Sequence, residues 1–218
     1  MNRIWQFLAM VIIIAAFTAT SLAQKPQDGD WTKDPTKNEA GFYFVFPGVV
    51  SDWASSIRSG NDEQRKKARQ ALINVTKPLN ITLKTDPATV KKEDVSRIML
   101  SYFMSALDKA TANKKDAKYT PLRERSLMLG LKASALVIAA GNAAASPKTL
   151  ESKEARENLY KKFNDVIDLC KLIGLPEPLI KKMRQAQNNT LASRTPVQYL
   201  AREKELSDWY DEVFLAYF

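Results

Sequence analysis

Three carboxylates near the C-terminus have a spacing that could support acid–base or metal chemistry. Glu205, Asp208 and Glu212 follow one another at intervals of three and four residues, so a helix would place all three on one face. Carboxylates gathered in this way can coordinate Ca²⁺ or act as a general acid and base. No ligand-binding loop accompanies them, and we expect a solvated face on which Lys and Arg neutralise the acids.

Basic residues suggest a second kind of chemistry, the binding of anions. The chain has a formal net charge of +9, which favours association with polyanions and anionic membrane surfaces. Lysine pairs recur in five segments, and the densest basic stretch, residues 113–118, makes Lys114, Lys115 and Lys118 candidate anion-binding residues. Acids are interspersed among the pairs and no nucleic-acid motif accompanies them, so we expect solvated helix faces and no specific nucleic-acid partner.

Other catalytic chemistries find little support in the composition. The chain has no His and a single Cys, Cys170, which excludes His-based metal sites and intrachain disulfides. Cys170 lies on an apolar stripe with Phe163 and Val166, as expected of a buried structural thiol. Nucleotide-binding and serine-nucleophile motifs are absent from the sequence. We therefore expect a protein without catalytic activity, cofactor or metal.

The N-terminus has the three parts of a secretory signal peptide. Arg3 precedes an apolar run, residues 7–17, and small side chains at Ser21 and Ala23 follow it. Cleavage is expected before Gln24, which predicts a secreted or periplasmic protein; the run is short for a membrane anchor. The longest later apolar segment, 127–141, is too short to span a membrane, so we expect no transmembrane helix after cleavage.

The rest of the chain divides into two regions. Residues 24–40 are polar and rich in Lys, Asp, Thr and Pro, which predicts a flexible arm. Residues 41–218 are predicted to form a single helical domain. Three N-x-[ST] sequons begin at Asn74, Asn80 and Asn188, and the motif is short enough to arise by chance.

Helix-capping signals indicate where helices begin and end. Asn61 with Gln64 three residues later has the pattern of a capping box. Gly141-Asn142 and Gly174 are predicted helix ends. Four further starts are predicted where a capping residue precedes proline, at Asp86-Pro87, Thr120-Pro121, Ser146-Pro147 and Thr195-Pro196.

Apolar periodicity between these signals predicts an all-α fold. Residues 95–106, 159–173 and 206–217 each carry one apolar stripe at intervals of three and four residues. Residues 122–140 are apolar on all sides, which predicts a central buried helix. We expect an antiparallel bundle of about five or six helices around this central helix, with an extended N-terminal arm.

The stretch "GFYFVFPG", residues 41–48, does not follow the helical pattern. Phe42, Phe44 and Phe46 alternate, which taken alone indicates a strand. It could plug the helical core as an extended segment, become helical from Pro47, or add as a strand to a partner. Burial in the core is the favoured interpretation, because each aromatic ring removes a large apolar area from water.

Aromatic residues near both ends are the candidates for partner binding. Phe42, Phe44 and Phe46 lie at the start of the domain, and Trp209, Phe214 and Phe218 at its end. A surplus of apolar surface beyond what one core needs would indicate a partner or a homodimer.

These patterns predict an exported, non-enzymatic helical protein that acts as an accessory, scaffold or binding subunit through aromatic and basic surfaces. Its partner is expected to be another protein or a second copy of the chain. Two alternatives stay open: a binder of anionic polymer or lipid in the cell envelope, and a carboxylate-dependent enzyme acting on envelope glycans.

Overall fold

A computed structural model describes the backbone of residues 35–112 and 120–218, with side chains from 39 in the first range and from 121 in the second. All regular structure in these ranges is helical, which confirms the predicted all-α class. The α-helices described are α1 (Pro35–Ser59), α2 (Asp62–Thr76), α3 (Val95–Thr111), α4 (Thr120–Ala145), α5 (Lys153–Ile173), α6 (Glu177–Ala192) and α7 (Pro196–Tyr217), with a 3₁₀ helix (Pro147–Leu150) before α5.

The described chain forms two compact units, and the boundary falls inside α4. The first unit runs to Gly130 and the second is Leu131–Phe218. The predicted signal peptide, residues 1–23, and residues 24–34 of the predicted arm lie outside the described residues. Residues 35–40 of that arm are not extended, because they form the beginning of α1.

The aromatic stretch 41–48 is buried in the core, as the favoured interpretation predicts, but it is helical and not extended. It lies within α1, and Tyr43, Phe44 and Phe46 are almost fully buried. Pro47 inside the helix has no N–H to donate to the carbonyl four residues earlier, a loss of about 3 kcal/mol. Burying one large aromatic side chain contributes about 1.5–3 kcal/mol. Several buried rings therefore outweigh the unfavourable proline.

Unit 1 is built by packing α2 and α3 on α1. The rings of Trp53 on α1 and Tyr102 on α3 lie 5.1 Å apart, and those of Phe46 and Phe103 meet edge to face at 6.3 Å. Arg58 at the end of α1 donates to Ser96 Oγ at the beginning of α3 at 2.7 Å, whereas Phe46, earlier in α1, meets Phe103, later in α3. The two helices therefore run antiparallel. The Tyr102 hydroxyl donates to the Thr85 carbonyl at 2.7 Å, which fastens the segment between α2 and α3 to this core.

The backbones of α4 and α1 approach each other closely within unit 1. A Cβ atom built on Gly130 would lie 1.9 Å from the Phe44 carbonyl oxygen, far inside van der Waals contact. Only glycine permits this separation. At the beginning of α4, Arg123 donates from Nε and Nη2 to Glu39 Oε2 at 2.9 and 2.6 Å, which adds a partly buried ion pair between the same two helices.

Unit 2 contains two antiparallel helix pairs, α5–α6 and α6–α7. The buried Gln187 amide of α6 donates to Asn164 Oδ1 of α5 at 3.0 Å. Trp209 Nε1 of α7 donates to the Leu179 carbonyl of α6 at 2.9 Å. The core between these helices uses the predicted stripe of α5, all of it buried: Leu159, Phe163, Val166, Cys170 and Ile173.

The predicted capping signals are confirmed at three positions. Asn61 with Gln64 and Thr195 with Gln198 form complete capping boxes at the start of α2 and α7. Gly174 ends α5 with a left-handed φ of 83°, and its N–H donates to the Cys170 and Lys171 carbonyls.

Two predicted helix boundaries are wrong. Asp86-Pro87 does not begin a helix; the Asp86 carboxylate accepts from the Ala88 N–H at 2.8 Å and closes a turn, and α3 begins only at Val95. Gly141-Asn142 does not end α4, which continues to Ala145 because three alanines, the best helix formers, follow.

Helix α4 differs from the predicted central helix in two respects. Leu131 and Ile138 are each more than a third exposed, so α4 is not buried on all sides. Among the described residues one segment, Pro121–Ala145, has the length and apolar composition of a membrane-crossing helix, with half of its most apolar window buried. The expectation that no segment after the signal peptide is long and apolar enough to cross a membrane is therefore wrong. Core helices of folded domains can have the same length and composition, so the absence of a transmembrane helix stays a prediction.

Replacing Gly130 with Ala tests the close contact between α1 and α4. We expect Gly130→Ala to lower the free energy of unfolding by about 1–3 kcal/mol, because the added methyl forces the two backbones apart. Without the contact, Ala would stabilise the helix by about 1 kcal/mol. Ala135→Ser, which adds one atom at an exposed position of α4, is the control and should change stability by less than about 0.7 kcal/mol. Urea unfolding that shows Gly130→Ala to be stabilising would contradict the contact.

Candidate partner-binding surfaces

The carboxylates of the last helix line a groove between α6 and α7. The groove has a volume of about 390 Å³. Its walls include Lys182 and Gln185 of α6 and the acids Glu205, Asp208 and Glu212 of α7. The helical spacing predicted from the sequence therefore does place the three carboxylates along one face.

Each of the three carboxylates has its own cation. Lys182 Nζ donates to both oxygens of Glu212 at 2.6 and 2.7 Å, and Lys204 Nζ donates to Asp208 Oδ2 at 2.6 Å. Glu205 accepts from Arg202 Nη1 at 2.6 Å. Among the described residues, no three His, Cys, Asp or Glu side chains are arranged so that they could hold a metal ion. The groove is thus an ion-paired surface, as expected from the neighbouring Lys and Arg residues.

Glu203 is the unusual carboxylate of α7. Burial raises its pKa above the ordinary value, and the carboxylate makes no hydrogen bond or ion pair within the described residues. It is not among the residues that line the groove. A raised carboxylate pKa is thus present on α7, but it lies apart from the three spaced acids and does not form an acid–base pair with them.

Four of the six candidate aromatics are buried in the structure. Phe44 and Phe46 belong to the core of unit 1, and Trp209 and Phe214 belong to the core of unit 2. Phe42 and Phe218 are half-buried, and the Phe218 ring meets Tyr217 edge to face at 5.0 Å. The four buried aromatics pack within their own units and are not accessible to a partner in this structure. Their proposed role in partner binding stays a prediction, and their burial does not favour it.

Cys170 is placed as expected from its stripe. Its thiol is fully buried, and burial raises its pKa to about 12. A thiol that is protonated and inaccessible at neutral pH is not a nucleophile. The candidate anion-binding residues Lys114, Lys115 and Lys118 lie outside the described residues, and their role stays a prediction.

An apolar surface that the sequence reasoning missed lies on α3. Leu100 and Met104, one turn apart, are 60% and 48% exposed. Three half-buried side chains adjoin them along the helix, and together the five form the α3 apolar face: Met99, Leu100, Phe103, Met104 and Leu107. The side of α3 that packs on the core is formed by Val95, Ile98, Tyr102 and Ala106. Packing on the core therefore does not explain why the α3 apolar face is apolar.

The signal for the α3 apolar face was present in the sequence. In "IMLSYFMSAL", residues 98–107, apolar side chains occupy more than half of the helix circumference, which is wider than the stripe of an ordinary surface helix. The width of the apolar arc, rather than the count of aromatic residues, identifies the surplus. Methionine side chains also adapt their shape readily, which suits a binding surface.

Comparisons of the chain with protein-family models, with curated proteins and with solved structures find no match.

Replacing Glu203 tests the effect of partial burial on its carboxylate. Because the pKa of Glu203 is higher in the folded state than in the unfolded state, ionisation of its carboxyl group lowers the free energy of unfolding at neutral pH. Below the unfolded-state pKa of about 4.3 the group is protonated in both states, and this loss of stability disappears. We therefore expect Glu203→Gln to increase the free energy of unfolding at pH 7 and to have little effect near pH 3. Glu205→Gln is the matched control; because Glu205 accepts from Arg202 and from Asn189 at 3.0 Å, its replacement should lower stability at pH 7. A loss of stability in Glu203→Gln at pH 7, measured by urea unfolding, would contradict the assignment.

Proposed function

We propose that this protein is an exported, non-enzymatic helical subunit that binds another protein. The observation that carries the proposal is the α3 apolar face, whose two central side chains are about half exposed or more. Large apolar side chains grouped on a monomer surface mark interaction sites, whereas single exposed ones are ordinary. Burial of this face against a partner would remove the two exposed side chains from water.

The α3 apolar face has the form of a helix that docks in a groove. Its members follow one another at intervals of one, three and four residues, so they lie on one side of α3 over about two turns. Phe103 rests on Phe46 of the core, which holds that part of the face in place. Phe103, already held by the core, loses little conformational entropy on binding, whereas the exposed Leu100 and Met104 can adapt to the partner's surface.

Charged residues border the α3 apolar face and would orient a partner. Arg97, paired with Asp94 at 3.0 Å, precedes the face, and Lys109 follows it. The basic stretch with Lys114, Lys115 and Lys118 comes next in the sequence. Arg97 already pairs with Asp94, and exposed Asp108 precedes Lys109, so it is the basic stretch that an acidic rim on the partner would complement.

The finer arrangement predicted from the sequence is part of the proposal. We expect an antiparallel bundle with residues 122–140 at its centre. In support, Gly130 of α4 packs on α1 within unit 1, and Lys132 of α4 pairs with Asp165 of α5 within unit 2. Helix α1 therefore packs closely on a small residue of α4, and α5 forms an ion pair with a polar one.

Binding of an anionic polymer or lipid is the second candidate function. It is favoured by exposed lysines that make no ion pair within the described residues, among them Lys91, Lys92, Lys161 and Lys162. The salt dependence of binding distinguishes it from protein docking, because counterion release makes affinity for polyanions fall steeply with salt. The carboxylate enzyme receives no such support, since the spaced acids are neutralised by cations.

Substitutions on α3 test protein docking. A pull-down with residues 24–218 from the native envelope or secreted fraction, washed at high salt, identifies the partner, and the affinity is then measured with both purified proteins. We expect Leu100→Glu or Met104→Glu to weaken binding at least tenfold, because a charge would be buried at the contact. Circular dichroism should show unchanged helicity, since both positions are exposed.

Leu172→Glu is the matched control for this experiment. Leu172 of α5 is 59% exposed, nearly equal to Leu100, so the substitution adds the same charge at a similarly exposed leucine. Its affinity should stay within about twofold of the unaltered protein. If both α3 variants bind as tightly as Leu172→Glu, the α3 apolar face is not the docking surface.

A further inference from the structure

The three N-x-[ST] sequons differ in structure although their sequences look equivalent. N-glycans are carried by sequons in surface loops of secreted proteins, where the Asn amide and the hydroxyl two residues later stay accessible both before and after the chain folds. A sequon within a helix loses this access once the helix forms and the hydroxyl bonds to the backbone. Accessibility of the Asn, freedom of the hydroxyl and local backbone conformation can each be read from the structure. Only one of the three sequons satisfies all of these conditions.

The sequon at Asn74 is part of α2 and its polar groups are engaged. Asn74 Oδ1 accepts from Gln70 Nε2 at 2.9 Å. The Thr76 side chain is buried, and its hydroxyl donates to the Leu72 carbonyl at 2.9 Å and to the Ile73 carbonyl at 3.1 Å. Helix formation therefore removes the hydroxyl that the sequon needs.

The sequon at Asn188 lies in the interior of α6. Asn188 itself is exposed, but Thr190 is almost fully buried. Its hydroxyl donates to the Ala186 carbonyl at 2.7 Å. Like the hydroxyl of Thr76 in α2, the hydroxyl of Thr190 therefore bonds to the backbone carbonyl four residues earlier in its own helix.

The sequon at Asn80 lies in the connection that follows α2. Asn80 has a left-handed φ of 50°, which Asn tolerates better than most residues, and its N–H donates to the Lys77 carbonyl at 3.1 Å. Asn80 and Thr82 are both exposed, and neither side chain makes a hydrogen bond within the described residues. Ile81 between them is buried and donates its N–H to the Thr76 carbonyl at 3.1 Å, which anchors the turn with both polar side chains outward.

We propose that Asn80 is an N-glycosylation site, and that Asn74 and Asn188 are not. In the transfer, Asn80 Nδ2 attacks the anomeric carbon of an oligosaccharide linked to a polyprenyl pyrophosphate. The C–N glycosidic bond forms as the C–O bond to the pyrophosphate breaks. The lipid pyrophosphate leaves with the electron pair, and the amide proton passes to a base of the transferase.

This assignment depends on export of the chain through a eukaryotic secretory pathway, and not on the proposed partner. A glycan at Asn80 would cover the turn between α2 and α3, a segment held on unit 1 by the hydrogen bond from Tyr102 to the Thr85 carbonyl. The turn can carry a bulky group without loss of packing, because the Asn80 and Thr82 side chains contribute nothing to the core.

The test is secretion of the full chain from a eukaryotic cell line. Digestion with an amidase that removes N-glycans should increase the mobility of the secreted protein by the step of a single glycan. Peptide mass spectrometry should then find Asp at position 80, because the amidase leaves Asp where it removes the sugar. Asn80→Gln and Thr82→Ala should abolish the shift, while Asn74→Gln and Asn188→Gln should retain it.

A second version, in which a host signal sequence replaces residues 1–23, separates failure of export from failure of glycosylation. Secretion of either version without a glycan would overturn the assignment. A glycan that persists in Asn80→Gln would overturn it equally, because the acceptor would then be another sequon. Thr82→Ser should retain the glycan, since it keeps the hydroxyl.

Discussion

Burial of α1 is the constraint on which the rest of unit 1 depends. Its aromatic side chains supply the apolar surface against which α3 packs, and its backbone approaches α4 so closely that only glycine fits at position 130. Pro47 weakens the helix locally, so α1 is held by tertiary packing rather than by its own helical propensity. The aromatic side chains of residues 41–48 therefore fill the core of the protein's own first unit.

The sequence predicted the fold class and most helix positions because those depend on local chemistry. The capping boxes at Asn61 and Thr195 and the glycine at 174 act within a few residues, and the structure confirms them. The helical state of residues 41–48 depends on contacts with distant helices, so an alternation of aromatic residues gave the wrong secondary structure. The end of α4 was missed because a glycine signal was outweighed by the alanines that follow it.

The candidate surfaces also combine features set by local sequence with features set by contacts between helices. The carboxylates of α7 share a face as their spacing predicts, yet their ion pairs with Lys182, Lys204 and Arg202 depend on geometry that composition does not contain. Aromatic residues were the predicted docking groups, but most fill the two cores. An exposed apolar surface lies on α3, in residues that resemble an ordinary core stripe unless the full width of the apolar arc is considered.

Native-state hydrogen exchange of the α1 amides tests the central claim most directly. If α1 forms the core of unit 1, its amides from Tyr43 to Trp53 should exchange only through openings with free energies close to that of the most protected amides of unit 1. The amide protons of α2 and α3 should then lose protection together with those of α1. Rapid exchange in α1 while α2 and α3 remain protected would contradict the account, because the aromatic helix would then be detachable and available to a partner.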